Sequence, residues 1–200
     1  EGQEATVTFQ MKPIGKQPPN PLKTPTVEVL DADGKQVDAK ITRDGNGNAF
    51  SVQFTAPRDG CYRIDVEMPT AAMVVSLRES NISIGLDATK PVHLFCSRGV
   101  FHFTLPQTEN GFALLISGMG MERVKATLRD EKGIVRMEKD NIAKTEFLIV
   151  RQEAVTKTSR WSLELSPPSE GVLEDVLLDL HGVPPFMAWD QRDLLIPVED

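Results

Sequence analysis

The fold class is decided by the stretch Phe54-Thr55-Ala56-Pro57-Arg58-Asp59-Gly60-Cys61-Tyr62-Arg63-Ile64-Asp65-Val66. An alternating strand runs into a proline and an Asp-Gly pair, and a second alternating strand leaves this turn. Glycine accepts the positive φ angles of tight turns, and aspartate bonds the local backbone. Small antiparallel sandwich domains turn between strands in this way, so the stretch predicts an all-β protein.

The same combination of strand and turn recurs on both sides of this stretch. Regularly spaced strands with turn chemistry between them predict antiparallel sandwiches, not alternating strands and helices. The segment Glu170 to Leu180 fits either a helix or a buried strand, and its neighbours favour a strand. The repeated turns are Asp31-Ala32-Asp33-Gly34, Asp44-Gly45-Asn46-Gly47-Asn48 and Asp130-Glu131-Lys132-Gly133.

The chain is predicted to form two consecutive β-sandwiches. Pro69-Thr70-Ala71-Ala72 interrupts the strand pattern, which places the boundary after residue 70. Residues 1–70 form the smaller sandwich in this interpretation, and residues 71–200 form the larger one. The second sandwich is expected to open with the strand Met73-Val74-Val75-Ser76-Leu77.

Charge and composition make several classes of partner unexpected. The net charge is −7, and lysine and arginine form no run. A phosphate backbone or an anionic membrane surface therefore has no basic patch to bind. No apolar run approaches the ~20 residues that a membrane helix needs. We expect neither nucleic acid binding nor membrane insertion.

The two cysteines and the first residue give information about the cellular compartment in which the protein functions. Cys61 and Cys96 each stand among alternating apolar residues, which predicts small buried hydrophobes, with a disulfide as the less favoured alternative. The chain starts at Glu1, which fits a mature exported protein or a trimmed boundary. Sandwiches with many Asp-Gly turns favour export, to the periplasm, the cell surface or the extracellular space.

Two parts of the chain resemble known families. Phe54 to Tyr62 is similar to the F-x-A-P-x-x-G-x-Y turn of bacterial immunoglobulin-like modules. The second part resembles the pre-peptidase C-terminal type of β-sandwich on secreted bacterial enzymes, over roughly Val74 to Pro197. The motifs that carry this resemblance are Val100-Phe101-His102-Phe103-Thr104-Leu105, Asp130-Glu131-Lys132-Gly133, Trp161-Ser162-Leu163-Glu164-Leu165 and Gly182-Val183-Pro184-Pro185-Phe186.

These resemblances imply an immunoglobulin-like sandwich followed by a jelly-roll sandwich of the pre-peptidase type. Modules of this kind are usually non-catalytic accessories of exported hydrolases or surface proteins. The chain is therefore expected to bind a glycan or a protein, or to space a partner domain. A structural protein–protein interaction module of a cell-surface or periplasmic assembly is the alternative.

Trp189 is the best candidate for an exposed ligand-binding aromatic. It follows the proline-rich loop that contains Phe186, and Asp190 and Arg192 flank it. Aromatic faces stack on sugar rings and exclude water, so these four residues form the predicted binding site. Packing of this loop over the end of the sandwich is the competing interpretation. Trp161, at period two with Leu163, is predicted to lie in the core.

Signals for metal binding or catalysis are weak. The three histidines have no partner at ligand spacing, so zinc is not expected. Asp44, Asn46 and Asn48 resemble half of a calcium loop, but the bidentate acid that should follow is missing, and a solvated hairpin turn is favoured. No Gly-x-Ser-x-Gly motif occurs. We expect a non-enzymatic protein without a cofactor.

Overall fold

The computed structural model describes residues 2–13, 25–67, 71–77, 82–107, 109–151 and 157–196. Within these ranges the regular structure consists of β-strands and one 3₁₀ turn, Gln191–Asp193. Each strand pairing is antiparallel, which confirms the predicted all-β class. None of the described segments is a helix with the length and apolarity of a membrane span.

The chain divides into two compact units, Glu1–Ser83 and Ile84–Asp200. This division differs from the predicted boundary after residue 70. The strand Ala71–Leu77 pairs with the first strand of the chain, so it belongs to the first unit. Pro69 interrupts the strand pattern locally, but alternation cannot tell which sheet the next strand joins. The prediction that Met73 to Leu77 opens the second sandwich is therefore wrong.

The first unit contains a four-stranded sheet in the order β3-β4-β1-β6 and a two-stranded sheet, β2-β5. Apolar residues at alternate positions of β1 and β4 form the buried face of the larger sheet. The rings of Phe9 and Phe50 are stacked there, with their centroids 4.9 Å apart. The strands are β1 (Gln3–Pro13), β2 (Thr26–Leu30), β3 (Ala39–Arg43), β4 (Ala49–Ala56), β5 (Arg63–Glu67) and β6 (Ala71–Leu77).

The second unit contains a four-stranded sheet, β13-β10-β15-β8, and a six-stranded sheet, β12-β11-β14-β9-β16-β7. Its strands are β7 (Gly85–Asp87), β8 (Val92–Phe95), β9 (Gly99–Leu105), β10 (Gly111–Gly118), β11 (Val124–Arg129), β12 (Val135–Ile142), β13 (Glu146–Arg151), β14 (Ser159–Ser166), β15 (Asp175–His181) and β16 (Phe186–Ala188). The second half of the segment that could have been a helix, from Asp175 to Leu180, lies in β15, which confirms the preference for a strand there.

The two sheets of the second unit share one apolar core. Leu114 and Leu178 from the four-stranded sheet and Leu163 from the six-stranded sheet are fully buried in the same cluster. Trp161 is 4 % exposed in that cluster, so the prediction that it lies in the core is confirmed. Because each sheet contributes its alternate apolar residues to a common core, the unit is sandwich-like.

Both cysteines are exposed and free. The expectation that they are small buried hydrophobes is therefore wrong. Cys61 lies in the turn before β5 begins, and Cys96 follows the end of β8 with a φ of 49°. The sequence pattern assigned them to alternating strands. Outside a strand, however, alternation no longer determines which residue faces the core.

Candidate functional site

The C-terminal cluster consists of the four predicted ligand-binding residues, and β16 places the first of them. Phe186 begins this short strand, although the sequence suggested a loop. A Cβ atom on Gly85 would lie 2.1 Å from the Phe186 ring, so the ring covers the backbone of β7 at a position that requires glycine. Phe186 is partly buried by this contact. It serves packing at the sheet edge more than it offers a binding face.

Trp189 is partly exposed to solvent. Its side chain is 43 % exposed, and its ring centroid lies 6.2 Å from that of Phe101 at an angle of 48°. Phe101 belongs to the buried core of the second unit. Trp189 therefore rests on the margin of the core while part of its indole remains accessible. The position of Trp189 thus combines the two predicted alternatives: the residue is partly exposed, and its ring also packs against Phe101.

Asp190 and Arg192 bind each other. The Arg192 Nη2 atom donates to Asp190 Oδ2 at 2.6 Å, and the Arg192 Nε atom and backbone amide donate to Asp190 Oδ1. These bonds hold the pKa of Asp190 well below its ordinary range and raise the pKa of Arg192. Because the charges neutralise each other, a ligand must recognise the pair or displace one member.

His102 joins the cluster from a distant part of the sequence. It lies on β9 opposite Ala188, one residue before Trp189. Burial lowers the pKa of His102, and the Asp190 carboxylate opposes this shift. Alternation along the strand places His102 on the face opposite Phe101 and Phe103, but nothing in that sequence pattern indicates its proximity to Asp190.

The Asp44 turn is a backbone-capped hairpin. The Asp44 carboxylate accepts from the Ala49 amide at 3.0 Å, so the possible first calcium ligand is engaged in the turn. The Arg43 Nη2 atom donates to the Gly47 carbonyl oxygen at 3.1 Å, which places a positive charge beside the loop. This geometry agrees with the favoured hairpin interpretation of Asp44, Asn46 and Asn48.

An open cavity of about 610 Å³ lies in the first unit, beside the Asp31 turn. The guanidinium group of Arg58 contacts both Asp31 and Asp33 there. The Asp31 carboxylate also accepts from the backbone amides of Asp33 and Lys35 at 2.9 Å. Arg58 thus binds Asp31 and Asp33, and these contacts join the β2–β3 turn to the turn after β4.

The apolar edge patch lies on the outer face of the four-stranded sheet and consists of Phe147, Ile149, Leu115 and Ala113. Phe147 is 52 % exposed and Ile149 is 50 % exposed, while Leu148 between them is fully buried. The strand register places Phe147 opposite Leu115 and Ile149 opposite Ala113. Adjacent same-face pairs of this kind form a continuous apolar surface.

Polar residues border the apolar edge patch along β15. Asp179 pairs with Leu115 and His181 pairs with Ala113, on the side away from β13. The His181 Nε2 atom and the Asp179 Oδ2 atom lie 3.1 Å apart. An apolar centre with a polar rim is the usual composition of a protein–protein interface. The sequence pattern of Thr145 to Val150 predicts a strand but does not single out its outer residues.

In the described part of the chain, no group of three or more histidine, cysteine, aspartate or glutamate residues is placed to hold a metal ion. Comparison of the sequence and structure with protein-family models, curated proteins and solved structures finds no match. Within the described residues, the apolar edge patch and the C-terminal cluster are the two candidate binding sites.

Proposed function

We propose that this chain is a non-catalytic exported module that binds a protein partner through the apolar edge patch. The observation that carries the proposal is the half-exposed pair Phe147 and Ile149 on β13, the outermost described strand of its sheet. Two large apolar side chains on one exposed strand face lose water when a partner covers them. Such burial is favourable by roughly 25 cal/mol for each Å² of apolar surface.

The position of β13 suggests how the partner binds. An edge strand offers backbone donors and acceptors to an added strand, while side chains at alternate positions supply specificity. A partner strand beside β13 would extend the sheet, and its apolar side chains on the outer face would contact Phe147 and Ile149. The proposed partner is therefore an extended apolar segment of a protein.

The strand order of the second unit supports a jelly-roll assignment. Its eight central strands pair in a nested way: β8 with β15, β9 with β14, β10 with β13 and β11 with β12. A long hairpin of eight strands rolled into two sheets has this order, which is the arrangement of a jelly roll. We propose β7 and β16 as additions at the β9 edge.

The first unit has features of an immunoglobulin-like domain. The pairings β1-β4-β3 and β2-β5 match strands B-E-D and C-F of that fold, and β6 occupies the position of strand A beside β1. The Tyr62 hydroxyl donates to the Arg58 carbonyl oxygen at 2.7 Å just before β5. A tyrosine at this corner, bonded to backbone a few residues upstream, is characteristic of immunoglobulin-like sandwiches. Export is proposed from these resemblances alone.

A displayed library of random peptides panned against the purified chain tests the docking proposal. We expect selected peptides to be apolar and β-forming, and to bind the wild-type chain. Phe147→Lys and Ile149→Lys should each weaken binding by at least about tenfold, since a desolvated charge in the interface costs several kcal/mol. Val100→Lys is the matched control, because Val100 is 39 % exposed on the other sheet. Equal binding by all three variants would contradict the proposal.

Glycan binding at the C-terminal cluster is the second candidate function. The specific observation is the partial exposure of Trp189 beside the Asp190–Arg192 pair, since an aromatic side chain with neighbouring polar groups suits a sugar ring. Affinity electrophoresis through gels containing different polysaccharides tests this alternative. Retardation of the wild-type chain that is lost in Trp189→Ala would support it, while unretarded migration in every gel would remove it.

A further inference from the structure

The turn that joins β10 to β11 has the sequence Met119-Gly120-Met121-Glu122, which we name the methionine turn. The Glu122 amide donates to the Met119 carbonyl oxygen at 3.2 Å. Gly120 has a φ of 70°, a value that glycine adopts without strain. A Cβ atom on the preceding Gly118 would lie 2.3 Å from the Glu122 carbonyl oxygen. The two glycines therefore permit this tight turn.

Hydrogen bonds hold the base of the methionine turn. The Glu122 carboxylate accepts from the Asp175 amide at 3.0 Å, and the Met119 amide donates to the Asp175 carbonyl oxygen at 3.3 Å. The Arg123 amide donates to the Val172 carbonyl oxygen at 2.9 Å. Both ends of the turn are thus tied to the first residue of β15 and to the segment before it, while the side chain at the tip, Met121, is exposed to solvent.

The methionines of the described residues differ sharply in exposure. Met121 is 93 % exposed, and Met119 is 43 % exposed. Met11 and Met187 lie in the apolar cores at 3 % and 0 %. Met73 and Met137 are partly buried. The Met121 thioether is thus freely accessible to a small dissolved reagent, whereas the core thioethers become accessible only when the sheets open.

Methionine reacts with hydrogen peroxide through a sulfur lone pair. The sulfur attacks one peroxide oxygen, the O–O bond breaks, and a sulfur–oxygen bond forms. The hydroxide that leaves takes up the proton of the transferred oxygen, so water is the second product. The sulfur is oxidised by two electrons and the peroxide is reduced by two. The product, methionine sulfoxide, is polar, and susceptibility follows exposure.

We infer that, among the methionines of the described residues, Met121 is the primary site of peroxide oxidation and Met119 is the second. Oxidation makes the methionine turn polar. The sheets remain folded, because the Met121 side chain projects away from the core and the bonds that hold the turn are made by backbone groups and Glu122. This inference is independent of the proposed docking function.

Limited oxidation of the folded chain with dilute hydrogen peroxide tests the inference. Peptide mass spectrometry at several times gives the rate for each methionine, with fragment ions separating Met119 from Met121. We expect Met121 to gain one oxygen at least roughly ten times faster than Met11 or Met187, since those sulfurs are buried. Oxidation of Met187 or Met11 at the rate of Met121 would overturn the inference.

Two leucine variants sharpen the test. In the peptide that contains the methionine turn, Met121→Leu should abolish the fast phase of oxygen uptake and leave the slower uptake at Met119. Met73→Leu, the matched control at a partly buried methionine, should leave the fast phase unchanged. Chain oxidised only at Met121 should melt at the same temperature as untreated chain. A lowered melting temperature would show that Met121 supports the fold, which contradicts the inference.

Discussion

Tyr62 holds the corner between β4 and β5. Its hydroxyl donates to the Arg58 carbonyl oxygen at 2.7 Å, and its ring lies 5.3 Å from that of Phe54. Tyr62→Phe removes the hydrogen bond and keeps the ring, so we expect the free energy of unfolding to fall by about 0.5–1.5 kcal/mol. Urea titration followed by circular dichroism measures this loss. Tyr62→Ala should cost more because it also removes the ring contact, and an unchanged midpoint for Tyr62→Phe would refute the role of the corner.

His102 should make stability depend on pH. Burial lowers its pKa in the folded chain, whereas an unfolded histidine titrates near pH 6.5. Between these two values the unfolded state binds more protons, so the free energy of unfolding falls as pH drops through this window. The His102 contribution is fully present above about pH 6.5 and is lost below the folded pKa.

His102→Gln tests this dependence, because it removes the titrating group. Urea midpoints measured across the window should decline less steeply with falling pH in the variant than in the wild-type chain. His181→Gln is the control, since His181 lies in the other sheet of the unit. If the urea midpoint changes with pH equally in His102→Gln and in the wild-type chain, His102 does not contribute to the pH dependence of stability.

Substitutions at adjacent positions of β13 distinguish the contribution of its buried face to stability from that of its exposed face. Leu148 is fully buried and Ile149 is half-exposed. Leu148→Ala should lower the free energy of unfolding by about 2–5 kcal/mol, because it leaves a core cavity. Ile149→Ala should cost far less. Thermal or urea unfolding of both variants tests the register, since a slip of one residue along β13 would reverse the two results.

Local alternation predicted individual strands well and their partners poorly. Gly99 to Leu105 and Val124 to Arg129 were identifiable because apolar residues recur at period two between turns, and both are strands over those bounds. The three-residue strand β16 was not identifiable, since it is too short for a period and follows two prolines. Alternation also does not indicate which strands pair with each other, so the pairing of β6 with β1 could not be predicted.

In the candidate site too, some features follow from the local sequence, whereas others depend on the pairing of strands that are far apart in the sequence. The accessible side chain of Trp189 could be anticipated from its place beside polar residues in the last part of the chain. The approach of His102 to Asp190 could not, because it depends on β16 pairing with β9. The apolar edge patch likewise needs the sheet order, which determines that β13 is outermost in the described sheet.

The division of the whole chain into units predicts which fragments fold. Residues 1–83 retain β6, which pairs with β1 over seven residues, whereas residues 1–70 lack that strand. We expect the 1–83 fragment to melt cooperatively and the 1–70 fragment to be markedly less stable, because one edge of β1 loses its partner. Circular dichroism melting compares the two. Equal melting temperatures would support the boundary after residue 70.

Hydrogen exchange with a bound peptide tests most directly the claim that the chain docks a partner strand at β13. A peptide selected against the wild-type chain is added, and amide exchange is measured for each segment by mass spectrometry. Strand addition predicts slowed exchange within Glu146–Arg151, with no change along β3, an edge strand of the first unit. Slowed exchange confined to the segment around Trp189, with β13 unaffected, would contradict the claim.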